Sequence, residues 1–231
     1  MKRVFPSELA LLLGILLTSV SVCIFLESGF GVTVIASVPL AIQNCIPSIP
    51  YGTWNIIYQS AIMVLAVIIL RQFRVSYVAS LGVVVLFGSL INLEEPIVAL
   101  LPDAFPLRVG YFIVSMGILS LGIGFLMRCN LPVLAADTFL RDYVQKFGRP
   151  FKVVKTVFDI ICISTSLLIC ALFIGELAGI GVGTIISALT TGYITSFVLT
   201  YYDAHFEFRP ALAPVRRFME EYDRAIPLDR K

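Results

Sequence analysis

One carboxylate sits inside a long apolar run, Asp159 in VKTVFDIICIST (154–165). An acid at that depth is costly as an ion and holds either a proton or a cation. The competing reading is structural, because Lys155 stands one helical turn earlier and an i, i+4 ion pair near the interface is worth only a few tenths of a kcal/mol. A second polar group, Asn55 with Tyr58 and Gln59, interrupts the apolar stretch 52–70. Facing a bundle interior, these amides and the phenol bind a polar solute or join helices by hydrogen bonds. Asp137 follows two alanines in PVLAAD (132–137); it either faces a cavity opposite Asp159 or is a solvated residue beside Arg141. The run GIGVGT (179–184) offers Gly181, Gly183 and Thr184 at the start of a helix. Free N–H groups there suit an anion, and glycines there equally suit a tight turn with close packing. It is not a P-loop, because the GK[ST] ending is absent.

The elements that position these groups follow from composition. The chain has 231 residues, 58% hydrophobic and only 14% charged, against about 25% charged in a soluble domain. The apolar residues gather into blocks long enough to cross a hydrocarbon core, at 8–26, 52–70, 76–93, 109–127, 154–174 and 182–202. The first block is kept as a retained helix, since neither a lipoprotein box at Cys23 nor an A-x-A-like site follows it. This excludes a soluble enzyme, a secreted disulfide domain and a nucleic-acid-binding module. Cys23, Cys45, Cys129, Cys162 and Cys170 show no paired spacing and read as small apolar side chains; the lone His205 supports no metal centre. No HExxH, GxSxG or Ser/His set is present, so neither an enzyme nor a cofactor is expected.

Two connections, 28–51 and 128–153, are too long and apolar for ordinary loops and too short to span, which predicts a re-entrant or interfacial helix in each. Every basic residue except Arg108 falls at the termini, at 71–74, at 128–155 or in the tail, while Glu27, Glu94, Glu95, Asp103 and Glu176 lie on the other side. By the positive-inside rule both termini are cytoplasmic and the protein is integral to the plasma membrane. Glu94 and Glu95, before Pro96, read as solvated at an outer rim, where acids would attract cations. The tail holds as many acidic as basic residues, and 216–224 reads as a mixed-charge surface helix.

Sliding the chain on itself by 104 residues pairs Trp54 with Phe158, Asn55 with Asp159, Ile56 with Ile160, Ile57 with Ile161, Ser60 with Ser164, Ala79-Ser80 with Gly183-Thr184 and Gly88 with Gly192. With three spans in each half, the second half enters the membrane upside down. The expected fold is therefore an all-α polytopic membrane protein with six transmembrane helices. It divides into two inverted three-helix repeats, 1–107 and 108–202, and a cytoplasmic tail, 203–231. Many secondary transporters share this architecture.

The stretch 154–197, with Lys155, Asp159, Gly179, Gly181, Gly183 and Thr184, resembles the C-terminal half of the YczE/YyaS/YitT-like bacterial integral membrane proteins. Gly52, Thr53 and Trp54 are similar to that family's G-x-W stretch, and Pro132 to Asp137 to its element after the fourth helix. The likeness covers residues 10–200. The segment RQFRVSYVAS before the third helix lacks the glycine-rich turn of its counterpart. The resemblance implies a bacterial membrane protein of transport-related role. Together these features point to a secondary transporter or exporter of a small polar or ionic metabolite, with the bilayer and that solute as partners and no nucleic acid. The alternative is an accessory scaffold acting through cytoplasmic proteins. The small-residue faces of the fourth and sixth spans also suit a homodimer.

Overall fold

The computed structural model describes residues 2–175, 179 and 181–212, apart from the side chains of Phe151 and Lys152. Glu176, Ile180 and the 216–224 segment lie outside the described residues. The chain is an all-α polytopic membrane protein. Six helices are long and apolar enough to span: α1 Ser7–Ser28, α3 Tyr51–Leu70, α4 Val75–Val98, α5 Phe105–Arg128, α7 Phe151–Ile169 (continued by a π-turn, Cys170–Ile174) and α8 Val182–His205. Two shorter helices, α2 Val34–Cys45 and α6 Ala135–Phe147, occupy the two long connections.

Helix α1 is apolar all round and the most enclosed of the six spans, as expected of a central helix. It runs antiparallel to α5 along a seam of small residues. A Cβ on Gly122 would lie 2.8 Å from Thr18 Cγ2, one on Gly14 would meet Leu126, and Ser21 Oγ donates to Ser115 O at 2.8 Å. Lipid tails are as apolar as leucine, so helices inside a bilayer associate through such close approach and hydrogen bonding. Helix α4 packs on α1 and α3, α8 on α5, α2 on α3 and α7, and α6 on α3, α4 and α7. The α3–α4 crossing is closest at Gly52 and Gly88, where a Cβ on Gly52 would meet Gly88 O at 2.1 Å.

The start of α1 and the end of α8 lie on one face. A short parallel pair, β1 Arg3–Pro6 and β2 Phe206–Arg209, joins them, a feature the hydropathy does not announce. Phe5 stacks on Phe125 at 5.5 Å and packs against Phe208 at 5.6 Å. Arg128 binds Asp203 through two bonds of 2.7 and 2.5 Å, and Glu8 accepts the N–H groups of Ala211 and Leu212. On the opposite face Arg108, the one basic residue there among the described residues, is held bidentately by Asp103.

The short helices settle at membrane depth. The Ala136 N–H points to Gln59 Oε1, halfway along α3, at 3.4 Å, and Lys146 Nζ donates to Leu70 O at the end of α3. Between those contacts α6 rises about 15 Å beside about 16 Å of α3. Helix α6 is thus a half-helix that starts near mid-span and returns to the terminal face. Helix α2 is placed similarly from the other side. Val34 and Val38 pack on Cys162, Ser166 Oγ donates to Ser37 O at 3.0 Å, and Ile46, just past the helix, accepts from Trp54 Nε1 at 3.3 Å. Both long connections therefore enter among the spans rather than lying along an interface.

Candidate functional site

Three residues at i, i+4 spacing put Tyr51, Asn55 and Gln59 on one face of α3, all at 3% exposure or less. Tyr51 donates to Ala36 O of α2 (3.2 Å), Asn55 Nδ2 to Tyr51 Oη (3.5 Å) and Gln59 Nε2 to Asn55 Oδ1 (3.2 Å); Gln59 Oε1 then takes the Ala136 N–H of α6. This polar ladder links the two half-helices through the middle of α3. It satisfies backbone groups that an irregular chain would otherwise leave bare at membrane depth. On the next face of α3, the Tyr58 hydroxyl meets Cys162 Sγ of α7 at 3.2 Å.

Helix α7 turns the stripe Lys155, Asp159, Cys162, Ser166 inward, while Val157, Ile160 and Ile161 are exposed on its outer side. Lys155 Nζ and Asp159 Oδ1 are 2.5 Å apart, with 33% and 27% of their side chains exposed. The local ion pair is therefore formed. Its neighbours make it more than a surface pair: Asp159 lies within electrostatic reach of Tyr58, Cys162 and Asp137.

Asp137 is in the first turn of α6, one residue past the Gln59 contact. Its side chain is exposed, although the flanking Ala136 and Thr138 are buried. Among the described residues its carboxylate takes part in no hydrogen bond or ion pair. Lys155, Asp159 and Arg141 lie within electrostatic reach of the Asp137 carboxylate. Asp137 of α6, Lys155 and Asp159 of α7, and Tyr58 and Gln59 of α3 thus lie near one another where these helices adjoin, on the terminal side of mid-span.

The back of α6 is fixed. Ser80 and Thr138 hydroxyls meet at 3.1 Å. Asp142, fully buried, accepts from Tyr77 Oη at 2.8 Å and lies 3.4 Å from Arg141 Nε and 3.6 Å from Arg74 NH1. Nothing in the string RDYVQK distinguishes this aspartate from a surface residue. The Tyr58–Cys162 contact did leave a signal, because the two positions are separated by the offset of the internal alignment.

Gly181, Gly183 and Thr184 lie elsewhere. The Gly183 N–H donates to Phe30 O, the Gly181 N–H points to Thr184 Oγ1, and a Cβ on Gly181 would meet Phe30 O at 2.3 Å. The connection before α2 occupies the turn, so these two N–H groups are not available to an anion. Glu94 and Glu95 are half-buried rather than solvated at a rim. Helix α4 continues through Pro96 to Val98 and carries both carboxylates against its neighbours. Ser19 Oγ donates to Glu94 at 3.0 Å, and Glu95 hydrogen-bonds Gln43. Among the described residues no group of three His, Cys, Asp or Glu side chains converges as a metal site would require.

Residues 5–200 match the family of unknown function DUF6198, and the chain belongs to that family. No curated protein and no solved structure matches it.

Proposed function

We propose that this protein is a secondary transporter or exporter of a small polar or ionic solute, bound where α3, α6 and α7 adjoin. The observation that carries the reading is Asp137, a carboxylate without a bonded partner among the described residues, near the Lys155–Asp159 pair where a half-helix begins near mid-span. An ionisable side chain at that depth is by default a functional group, and binding is the usual reason for one.

Two contacts support the reading of the halves as inverted repeats. Tyr58 meets Cys162 and Thr18 meets Gly122, and each pair is separated by 104 residues, the offset of the internal alignment. Positions that an alignment equates come together only close to a two-fold axis, and here one would pass between α3 and α7 and between α1 and α5. Part of the packing pattern agrees: α1 on α4 corresponds to α5 on α8, and α2 on α7 to α6 on α3, whereas the close α3–α4 packing has no counterpart between α7 and α8. Half-helices meeting a central site are the arrangement that alternating access uses. On this reading the terminal face, rich in Lys and Arg, is the cytoplasmic side of a bacterial plasma membrane, and the finer kinship is with the YczE/YyaS/YitT-like proteins.

The test is a metabolite-library thermal-shift screen on detergent-purified protein, repeated with Asp159→Asn. A solute that stabilises the wild type and loses its effect in the variant supports the reading and names the solute. No stabilising solute, with the variant as stable as the wild type, overturns it in favour of an accessory scaffold.

A further inference from the structure

We propose that a recess beside the end of α8 binds the phosphate of an anionic phospholipid headgroup, with Arg3 as its cation. The inference needs the membrane-spanning fold and not the transport reading, so the two stand or fall separately.

Strand pairing builds the site. The β1–β2 register sets Arg3 beside Phe206, the residue that follows α8. There Arg3, Tyr201, Ala204, His205 and Phe206 line a recess of 320 Å³, within the range of about 300–1,000 Å³ that small-ligand sites occupy. The His205 ring stacks on Tyr201 with centroids 4.3 Å apart, and its Nδ1–H donates to Tyr201 O at 2.9 Å. A carbonyl only accepts, so this bond fixes the tautomer of the neutral ring and leaves Nε2 as an acceptor.

The local charges leave Arg3 over. The carboxylates of the surrounding segments are already taken: Asp203 by Arg128, Glu207 by Arg209, and Glu8 by the N–H groups of Ala211 and Leu212. Arg3 makes no ion pair or hydrogen bond among the described residues, and neither does the Tyr201 hydroxyl. The negative end of the α8 dipole is blunted as well, with Tyr201 O bonded by His205 and Tyr202 O by the Phe206 N–H. Depth then names the anion. Helix α8 has 24 residues, which is about 36 Å of helix against a hydrocarbon core of about 30 Å. The exposed Arg128–Asp203 pair puts the terminal end of that excess among the headgroups, because such charges are too costly in the core. A phosphate diester at this level offers two non-bridging oxygens to the planar fork of Arg3. The Tyr201 hydroxyl donates to the same group, and His205 Nε2 accepts from a headgroup hydroxyl such as those of phosphatidylglycerol.

The experiment is native mass spectrometry of the full chain in detergent, titrated with phosphatidylglycerol or phosphatidylcholine, and with inorganic phosphate as competitor. The expected result is one phosphatidylglycerol retained at concentrations where phosphatidylcholine is not, and not displaced by inorganic phosphate. Arg3→Gln and Tyr201→Phe should each weaken that binding about tenfold, since each removes a hydrogen bond to a charged group. Lys2→Gln removes the same charge one residue away, outside the recess, and should leave the binding unchanged. Equal weakening by Arg3→Gln and Lys2→Gln would show a general attraction of the basic face and overturn the proposal. Displacement by inorganic phosphate would overturn it in favour of a site for a soluble phosphate. If Arg3→Gln fails to fold, Tyr201→Phe decides, because binding indifferent to the hydroxyl also overturns it.

Discussion

Replacing Asp142 with asparagine tests how α6 is held. The carboxylate is fully buried and serves Tyr77, Arg141 and Arg74 at once, at 2.8, 3.4 and 3.6 Å. The asparagine keeps the volume and removes the charge, leaving two guanidinium groups without their shared counter-ion. Removing one partner of a buried ion pair costs about 3–5 kcal/mol. The Arg74 and Arg141 side chains are 25% and 30% exposed and can turn part of their charge to water, so the lower end applies, about 3 kcal/mol. For a chain of this size that corresponds to a fall of roughly 6–12 °C in apparent Tm. Tyr77→Phe removes one hydrogen bond to the same charge and costs about 1.5 kcal/mol. Because both changes act on one network, the double variant should lose less than the sum of the two. The assay is thermal unfolding in detergent followed by size-exclusion chromatography. A decrease in Tm of less than about 2 °C for Asp142→Asn, well short of the expected effect, would refute the claim that this cluster anchors α6.

Three further outcomes follow from the same geometry. Gly52→Ala puts a Cβ where Gly88 O already is, so the α3–α4 crossing must open, at a cost of about 1–3 kcal/mol read as lost thermal stability. Asp137→Asn should change Tm by less than about 2 °C, because its exposed carboxylate makes no hydrogen bond or ion pair among the described residues; a larger fall would give it a structural role. A fluorescent-protein fusion to the C-terminus should fluoresce in cells, because the basic terminal face is expected on the cytoplasmic side; a dark fusion at normal expression would reverse the topology.

Much of the architecture was legible because the bilayer imposes a simple rule on sequence. A block of apolar residues of the right length becomes a span, and all six expected blocks coincide with helices. The two half-helices were visible as segments too long for loops and too short to cross. Their depth was not legible, since it is fixed by contacts such as Gln59 with Ala136, between residues far apart in the chain. The Lys155–Asp159 pair could be read from its i, i+4 spacing. The approach of Asp137 to it could not, because it depends on how α6 packs on α7. Glu94 and Glu95 were misread because hydropathy fades before the helix ends, so the last turn of α4 looked like a loop. Asp142 was invisible for the converse reason: a charge inside a polar string looks exposed until its burying partners, Tyr77 and Arg74, arrive from another helix.

The most direct measurement uses Cys162, 2% exposed and hydrogen-bonded to Tyr58 where α3 meets α7. With the other four cysteines replaced by alanine and the protein in sealed vesicles, a membrane-impermeant thiol reagent is applied to each side in turn. A transporter whose half-helices open alternately should let the reagent reach Cys162 from both sides, with the solute found in the screen slowing both reactions. Labelling from the terminal face alone, unaffected by any solute, would describe a closed scaffold and contradict a transport role.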